Sequence, residues 1–232
     1  MATSLSSLLV PRRRGRAFSL IELLVVLSAI SLLASLLFPA FFSARGRARQ
    51  VSCASNLRQI GLSISMYIQD YDGFYPYAVA PDDRVGPERW VSHMPQFAAD
   101  ISSIGLLQDV MLPYTRSKQI FSCPSDIGFD VFEPTRVPMN AFPTSYEKYG
   151  TSYYYRTSIA ACHYPDAIFE TPSKSWVLMD GAGNWHGTLL PLEPRYNLLF
   201  CDGHVKNMTN AQFEAIRGTP INELPLPFTG CN

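Results

Sequence analysis

The pattern of hydrophobic and polar positions begins with a long apolar run. No charged residue occurs from Leu23 to Ala44, and at about 1.5 Å per residue this run is long enough to cross the roughly 30 Å hydrocarbon core of a bilayer. Further on, apolar residues recur at helical spacings of three and four, at Cys53, Leu57, Ile60, Ile64 and Tyr67. This periodicity predicts one continuous helix over residues 18–72. Its first part, about residues 18–42, is the predicted membrane span.

Pro39 lies inside the predicted span. Proline removes a backbone hydrogen bond from the interior of a helix, so we expect the helix to bend or loosen there.

Residues 73–232 are segmented by turn residues and are expected to form one globular head. A helix is predicted over Ile104–Met111. Short strands are predicted at Ile120–Cys123, Tyr149–Arg156, Ser175–Met179, Tyr196–Cys201 and His204–Lys206. The last two flank Asp202-Gly203, a two-residue loop in which both positions favour positive φ. The predicted fold class is α+β, with a mainly antiparallel sheet packed against the outer half of the long helix.

One acid, Glu22, stands near the start of the apolar run, directly after a basic segment that holds Arg12, Arg13, Arg14 and Arg16. A lone carboxylate there costs on the order of 1 to 3 kcal/mol and calls for a partner. Cleavage before Phe18 would create a cationic amine, and a neighbouring subunit shifted along the membrane normal could offer that amine to Glu22. The plain alternative is a signal anchor in which Glu22 reaches water at the interface.

The sequence from Arg12 to Glu22 has a small residue before Phe-Ser-Leu-Ile-Glu. It resembles the type IV prepilin signal shared by pilins and type II secretion pseudopilins. The resemblance implies that residues 1–17 are a leader, that a prepilin peptidase cuts between Ala17 and Phe18, and that Phe18 is N-methylated. Ala17 stands where the family usually has glycine. Glu22 would direct assembly with other pilin or pseudopilin subunits on an inner-membrane assembly platform.

Later blocks around Cys53, Cys123 and Asp202-Gly203 resemble pseudopilin-like proteins with a His-x9-Asp-Gly tail, although Leu192 occupies the histidine position here. Five cysteines favour an oxidising compartment. Cys53 and Cys123 belong to two of the resembling blocks, and this implies that they form a disulfide. Cys162, Cys201 and Cys231 leave three further pairings open, of which Cys162 with Cys201 is preferred. Buried thiols are the alternative for these three.

The charges bear on orientation and partners. The leader arginines favour a cytoplasmic leader, whereas Arg45, Arg47 and Arg49 beyond the span argue the other way. The prepilin resemblance favours the first orientation, a single pass through the inner membrane with a periplasmic or extracellular head. A cleaved secretory signal is disfavoured because its apolar region is only about 7 to 15 residues long. After leader removal, 15 basic residues remain against 19 acidic ones, so no nucleic-acid partner is expected.

The sequence offers little for catalysis or metal binding. Neither a Gly-x-Ser-x-Gly motif nor a Cys-x-x-Cys spacing occurs, so we expect no enzyme, no metal and no cofactor. Scattered histidines are expected in the core or on the surface. Calcium at Asp70-x-Asp72-Gly73 or Asp180-Gly181-x-Gly183-Asn184 is the less favoured alternative to ordinary turns.

The predicted function is that of a structural subunit of a type II secretion or type IV pilus-like filament. The alternative is a monomeric membrane-tethered module that binds a glycan or peptide. Its stacking surface would be Tyr153, Tyr154, Tyr155 and Trp185, although such aromatic residues usually fill a core.

Overall fold

The computed structural model describes residues 19–92, 94–186, 188–189 and 192–217. The chain divides into two compact units, Met1–Ala44 and Arg45–Asn232. One helix, α1, covers Leu20–Asp70 and includes Pro39, as the periodicity predicts. The bend expected at Pro39 stays a prediction.

The described part of the head contains eight more helices, all short, of four to eight residues. They are α2 (Pro81–Val85), α3 (Glu88–Val91), α4 (Pro95–Asp100), α5 (Leu107–Val110), α6 (Leu112–Thr115), α7 (Ser145–Tyr149), α8 (Thr157–Ala161) and α9 (Asn210–Arg217). Single 3₁₀ turns occur at Gln119–Phe121, Asp166–Ile168, Pro172–Lys174 and Gly183–Trp185.

Eight strands form three antiparallel sheets in the described residues. The strands are β1 (Val131–Phe132), β2 (Val137–Pro138), β3 (Tyr153–Tyr155), β4 (Trp176–Asp180), β5 (Thr188–Leu189), β6 (Leu192–Glu193), β7 (Arg195–Phe200) and β8 (Val205–Thr209). The main sheet has the order β3-β4-β7-β8, whereas β1-β2 and β5-β6 are small hairpins. The fold is therefore α+β and pilin-like, as predicted: a long N-terminal helix and a head built on antiparallel sheets.

The outer part of α1 packs on the main sheet through the apolar face that the periodicity predicts. Its buried members are Cys53, Leu57, Ile60, Ile64 and Tyr67. They share one core with residues of β3, β4 and β7. Gly61 leaves room for a side chain of the sheet, because a Cβ atom at this position would lie 2.8 Å from the Leu199 Cδ1 atom on β7.

The hairpin between β7 and β8 turns at Asp202-Gly203, but its geometry differs from the prediction. The Phe200 amide donates to the His204 carbonyl at 3.0 Å, which leaves three residues in the loop. Gly203 has φ +83°, and Asp202 is not among the residues with positive φ. This is the three-residue hairpin loop with glycine in the left-handed position.

The strand predicted at Ile120–Cys123 is wrong. Gln119–Phe121 forms a 3₁₀ turn. The Cys123 amide donates to the Ser152 Oγ at 3.0 Å rather than to a neighbouring strand. Phe121 and Cys123 are buried, so the apolar pattern reflects burial in the core and not pairing in a sheet.

Candidate functional site

The start of α1 is held by a reciprocal pair of hydrogen bonds. The Ser19 Oγ accepts from the Ile21 amide at 3.2 Å, and the Glu22 carboxylate accepts from the Ser19 amide at 2.9 Å. This is a capping box, in which two side chains satisfy amides that the first helical turn leaves without partners. The carboxylate gains a neutral donor from its own chain, and its charge is not matched by this contact.

The first part of α1 presents large apolar side chains on all sides. Those between Leu20 and Phe42 are half to more than three quarters exposed. An apolar window within α1 has a mean hydropathy of 2.5, with none of it buried, and passes the length and composition criteria for a membrane span. An exposed helix that is apolar all round is suited to a lipid environment or to packing among other helices.

Two predicted positions, Ala17 and Phe18, lie outside the described residues, as does the rest of the leader. Their cleavage and methylation stay predictions. The assembly role of Glu22 and the orientation of the chain likewise stay predictions.

The disulfide between Cys53 and Cys123 is confirmed: the sulfur atoms are 2.03 Å apart and the Cα atoms 5.1 Å apart. It joins α1 to the segment after the Gln119–Phe121 turn. The Asn56 side-chain amide reinforces this junction by donating to the Ser122 carbonyl at 2.9 Å. The bridge therefore fastens the helix to the head at a point buried from water.

The preferred pairing of Cys162 with Cys201 is wrong. Cys162 is disulfide-bonded, but Cys201 is a free thiol. Burial raises the pKa of Cys201 to about 12, although a hydrogen bond with Tyr75 and the nearby Arg156 act in the opposite direction. The thiol therefore stays protonated and is a poor nucleophile at neutral pH. Cys231 lies outside the described residues.

Two buried polar side chains, His186 and Asp180, form a centre with the Cys53–Cys123 bridge. The His186 Nε2 is 3.5 Å from the Cys123 Sγ and 3.4 Å from the Asp180 Oδ2. Both the His186 and Asp180 side chains have no exposed surface. The Asp180 Oδ2 also accepts a hydrogen bond from the backbone N–H of Asn197 at 2.6 Å. Sequence spacing gives no sign of this centre, because its members come from four separate segments.

This centre is not arranged as a Cys-His-Asp catalytic triad. In a triad one imidazole nitrogen faces the nucleophile and the other faces the acid. Here the same atom, Nε2, lies near both Cys123 and Asp180, and Nδ1 has no hydrogen-bond partner among the described residues. The sulfur is also held in a disulfide, so it is not a nucleophile in this state.

A second buried polar cluster links α2 and α3, and sequence reasoning did not identify it. Arg89 donates to Asp82 at 3.3 Å and also to Asp83. Asp83 further accepts from the Trp90 indole N–H at 2.7 Å, and Asp82 from the Thr135 hydroxyl at 3.2 Å. Burial, and next the neighbouring Asp83, raise the pKa of Asp82 to about 8. The signal in the sequence was two adjacent acids seven and six residues before an arginine, a spacing that surface residues also show.

The two segments considered for calcium differ in conformation and in burial. Asp70 accepts from the Tyr114 hydroxyl at 2.9 Å, and Asp72 and Gly73 both have positive φ in the turn that ends α1. In the other segment Asp180 is fully buried, whereas Asn184 is exposed. Calcium at either segment stays the less favoured alternative to an ordinary turn.

The aromatic residues considered for a stacking surface lie in the core. Tyr153, Tyr154 and Tyr155 are at most 3% exposed, and Trp185 is 8% exposed. Tyr154 stacks on Phe132 with ring centres 4.4 Å apart. These four side chains are therefore not available to a glycan at the surface.

Comparisons with known proteins agree with the two parts of the chain. A family model described as "Prokaryotic N-terminal methylation motif" matches residues 12–38, and one described as "Protein of unknown function (DUF1559)" matches residues 42–188. No curated protein and no solved structure gives a match. Since the second model covers well over half of the sequence, the chain belongs to the DUF1559 family and carries a prokaryotic N-terminal methylation motif ahead of that domain.

Proposed function

We propose that this chain is a prepilin-like precursor whose mature form is a structural subunit of a type II secretion or type IV pilus-like filament. A prepilin peptidase cuts between Ala17 and Phe18, and the new amine of Phe18 is methylated. The observation that carries the proposal is a lone acid, Glu22, at the start of an exposed apolar helix and inside an N-terminal methylation motif.

Glu22 needs a positive partner once the helix lies in lipid, because an unmatched charge in the apolar phase is costly. Its hydrogen bond with the Ser19 amide supplies a donor but no charge. The amine of Phe18 on an adjacent copy, displaced along the helix axis, supplies the missing charge. Pairing between copies then fixes the register of one helix against the next.

The proposed location is the inner membrane, which the chain crosses once. Arg12, Arg13, Arg14 and Arg16 hold the leader in the cytoplasm, and the head lies in the periplasm or outside the cell. The partners are other pilin or pseudopilin subunits, the prepilin peptidase and the inner-membrane assembly platform.

Two substitutions separate the charge of Glu22 from its capping role. Glu22→Gln removes the charge but keeps an oxygen that can accept the Ser19 amide, as glutamine does in a capping box. Ser19→Ala removes the hydroxyl cap and leaves the charge. We expect Glu22→Gln to abolish cross-linkable filament in native cells and to leave leader cleavage intact, whereas Ser19→Ala keeps both.

Filament formation by Glu22→Gln at the wild-type level would overturn the role of Glu22. If the wild-type protein is monomeric in native membranes, cleaved or not, the filament proposal fails and the tethered binding module becomes the better description. Mass spectrometry of the mature amino terminus tests the processing step separately, with methylated Phe18 as the expected terminus.

A further inference from the structure

The buried centre around the disulfide brings together four side chains of the kinds that bind zinc. Cys53 comes from α1, Cys123 from the segment after the first 3₁₀ turn, Asp180 from the end of β4, and His186 from the residue after the last 3₁₀ turn. The two sulfur atoms and an imidazole nitrogen lie within 4.8 Å of one another. All four residues are buried.

The distances around His186 match those between ligands of a tetrahedral zinc ion. With Zn–S of about 2.3 Å and Zn–N or Zn–O of about 2.0–2.1 Å, tetrahedral angles place sulfur about 3.5 Å from nitrogen and nitrogen about 3.4 Å from oxygen. The Cys123 Sγ lies 3.5 Å from the His186 Nε2, which lies 3.4 Å from the Asp180 Oδ2. His186 therefore already has the spacing of a zinc ligand to one neighbour on each side, Cys123 and Asp180.

The two cysteines become available as ligands only when the disulfide is opened. Zinc binds cysteine as the thiolate, and a sulfur atom in a disulfide is not a thiolate. The Cys53–Cys123 bond and a metal held by both sulfur atoms therefore exclude each other.

Asp180 and His186 carry further buried polar atoms, other than the two placed against zinc, that lack a partner in the described part of the chain. The Asp180 Oδ1 and the His186 Nδ1 have no hydrogen-bond partner among the described residues. An uncompensated carboxylate in a dry environment is costly. A divalent cation beside Asp180 would offset that cost. The backbone N–H of Asn197 carries no charge, so its hydrogen bond to Asp180 offsets the cost only in part.

We propose that the reduced chain binds one Zn²⁺ through Cys53, Cys123, His186 and Asp180, and that the metal and the disulfide are alternative occupants of this centre. Reduction by a dithiol transfers two electrons and two protons to the S–S bond, giving two thiols and converting the dithiol to a disulfide. Zinc binding then releases the two thiol protons. Oxidation by a protein disulfide, which becomes a dithiol, restores the bridge and releases Zn²⁺.

The burial of the site sets when the metal enters. Because the Asp180 and His186 side chains have no exposed surface, zinc binds while the head is still closing around α1. In that state the metal holds the helix to the Cys123 segment in the way that the disulfide does later. Binding and folding of the reduced head are therefore coupled.

Cobalt is the probe, because tetrahedral Co²⁺ bound to thiolates absorbs in the visible range and shows sulfur-to-metal charge transfer in the near ultraviolet. The full-length chain is reduced with a phosphine in detergent micelles, refolded and titrated with Co²⁺. We expect one Co²⁺ per reduced chain, displaced by Zn²⁺, and no such spectrum from the oxidised chain.

Variants identify the ligands. Cys123→Ser removes the charge-transfer band, and Asp180→Asn lowers the Co²⁺ affinity by more than about tenfold. Cys162→Ser is the matched control, because it also removes a half-cystine of the oxidised chain and yet keeps the full spectrum. Cys201→Ser keeps it too.

A measurement on the unmodified sequence guards against misfolded variants. Zinc added to the reduced chain should slow alkylation of Cys53 and Cys123, mapped by mass spectrometry, and leave the rate at Cys162 unchanged. Equal alkylation with and without zinc, absence of the cobalt spectrum in the reduced wild type, or a spectrum that survives Cys123→Ser would each overturn the proposal.

Discussion

Leu199 of β7 occupies the space beside Gly61 of α1, so that helix and sheet meet where the helix has no side chain. Both residues are buried in the head core. The atoms nearest to the position of a Cβ at Gly61 are the side-chain carbons of Leu199. Gly61 thus leaves room for the Leu199 side chain between the two layers.

Enlarging Gly61 should force these layers apart. Gly61→Val places carbon atoms within 3 Å of Leu199, and we expect a loss of about 1 to 3 kcal/mol in the free energy of unfolding of the head. Gly46→Val is the control, because a Cβ atom at Gly46 meets nothing within 4 Å. Urea titration of the full chain in micelles, followed by tryptophan fluorescence, measures both. Equal stability of the two variants would contradict this account of the helix–sheet contact.

Removing the Cys53–Cys123 bridge should destabilise the oxidised protein. The bridge closes a loop with a sequence separation of 70, and loss of such a link costs about 2 to 5 kcal/mol. We expect Cys53→Ala to lower the thermal midpoint of the head, as measured by circular dichroism without reductant. Cys201→Ser should change it far less, since Cys201 forms no disulfide. If Cys53→Ala and Cys201→Ser unfold at the same temperature as the wild type, the bridge is not a stabilising link.

The Asp82–Asp83–Arg89 cluster predicts a pH dependence of stability. The pKa of Asp82 is raised to about 8 in the folded head, against an ordinary value of about 4 in the unfolded chain. Between these values the folded state holds a proton that the unfolded state lacks, so the contribution of Asp82 to stability falls as pH rises from about 4 to 8. The unfolding midpoint in urea, measured from pH 5 to 9, follows this loss.

Asp82→Asn isolates that contribution, because asparagine keeps an oxygen for Arg89 and Thr135 and cannot ionise. We expect the variant to show a flatter pH profile than the wild type and to be the more stable of the two above pH 8. Parallel profiles for the two proteins would show that Asp82 does not titrate in this range.

Capping of α1 gives a further prediction. Ser19→Ala should cost about 0.5 to 2 kcal/mol at the helix start and loosen the first turn. Hydrogen exchange at the Ile21 amide, measured in micelles, should become faster, while exchange at Leu57 stays unchanged. Unchanged exchange at Ile21 would mean that the Ser19 hydroxyl does not hold this turn.

The sequence predicted those elements whose pattern is long or chemically distinctive. Helix α1 follows from its uncharged run and from a periodic apolar face whose members Cys53 to Tyr67 are all buried. The β7–β8 hairpin follows from Asp202-Gly203, because glycine is the residue best suited to the left-handed position. Loop length was missed, since it depends on the pairing of Phe200 with His204 rather than on the turn residues alone.

Other features depend on tertiary contacts and were missed for that reason. Helices α2, α3 and α4 have four to six residues, too few to show a helical period. Ile120–Cys123 is a short apolar run of the kind that forms strands, but the disulfide and Ser152 fix it in another conformation. The centre of Asp180 and His186 beside the bridge follows only from the path of the folded chain.

Strand β3 is buried through three consecutive tyrosines, and neighbouring residues of a strand point to opposite sides. The Tyr153 hydroxyl donates to the Cys53 carbonyl of α1 at 3.4 Å, whereas Tyr154 packs against Phe129 and Phe132. At β3 the sheet is thus a middle layer, with α1 on one face and Phe129 and Phe132 on the other. A neighbouring subunit that docks on the head in this region must therefore contact loops, the edges of the sheet or the outward side of the helix. These surfaces can change in sequence without disturbing the buried tyrosines.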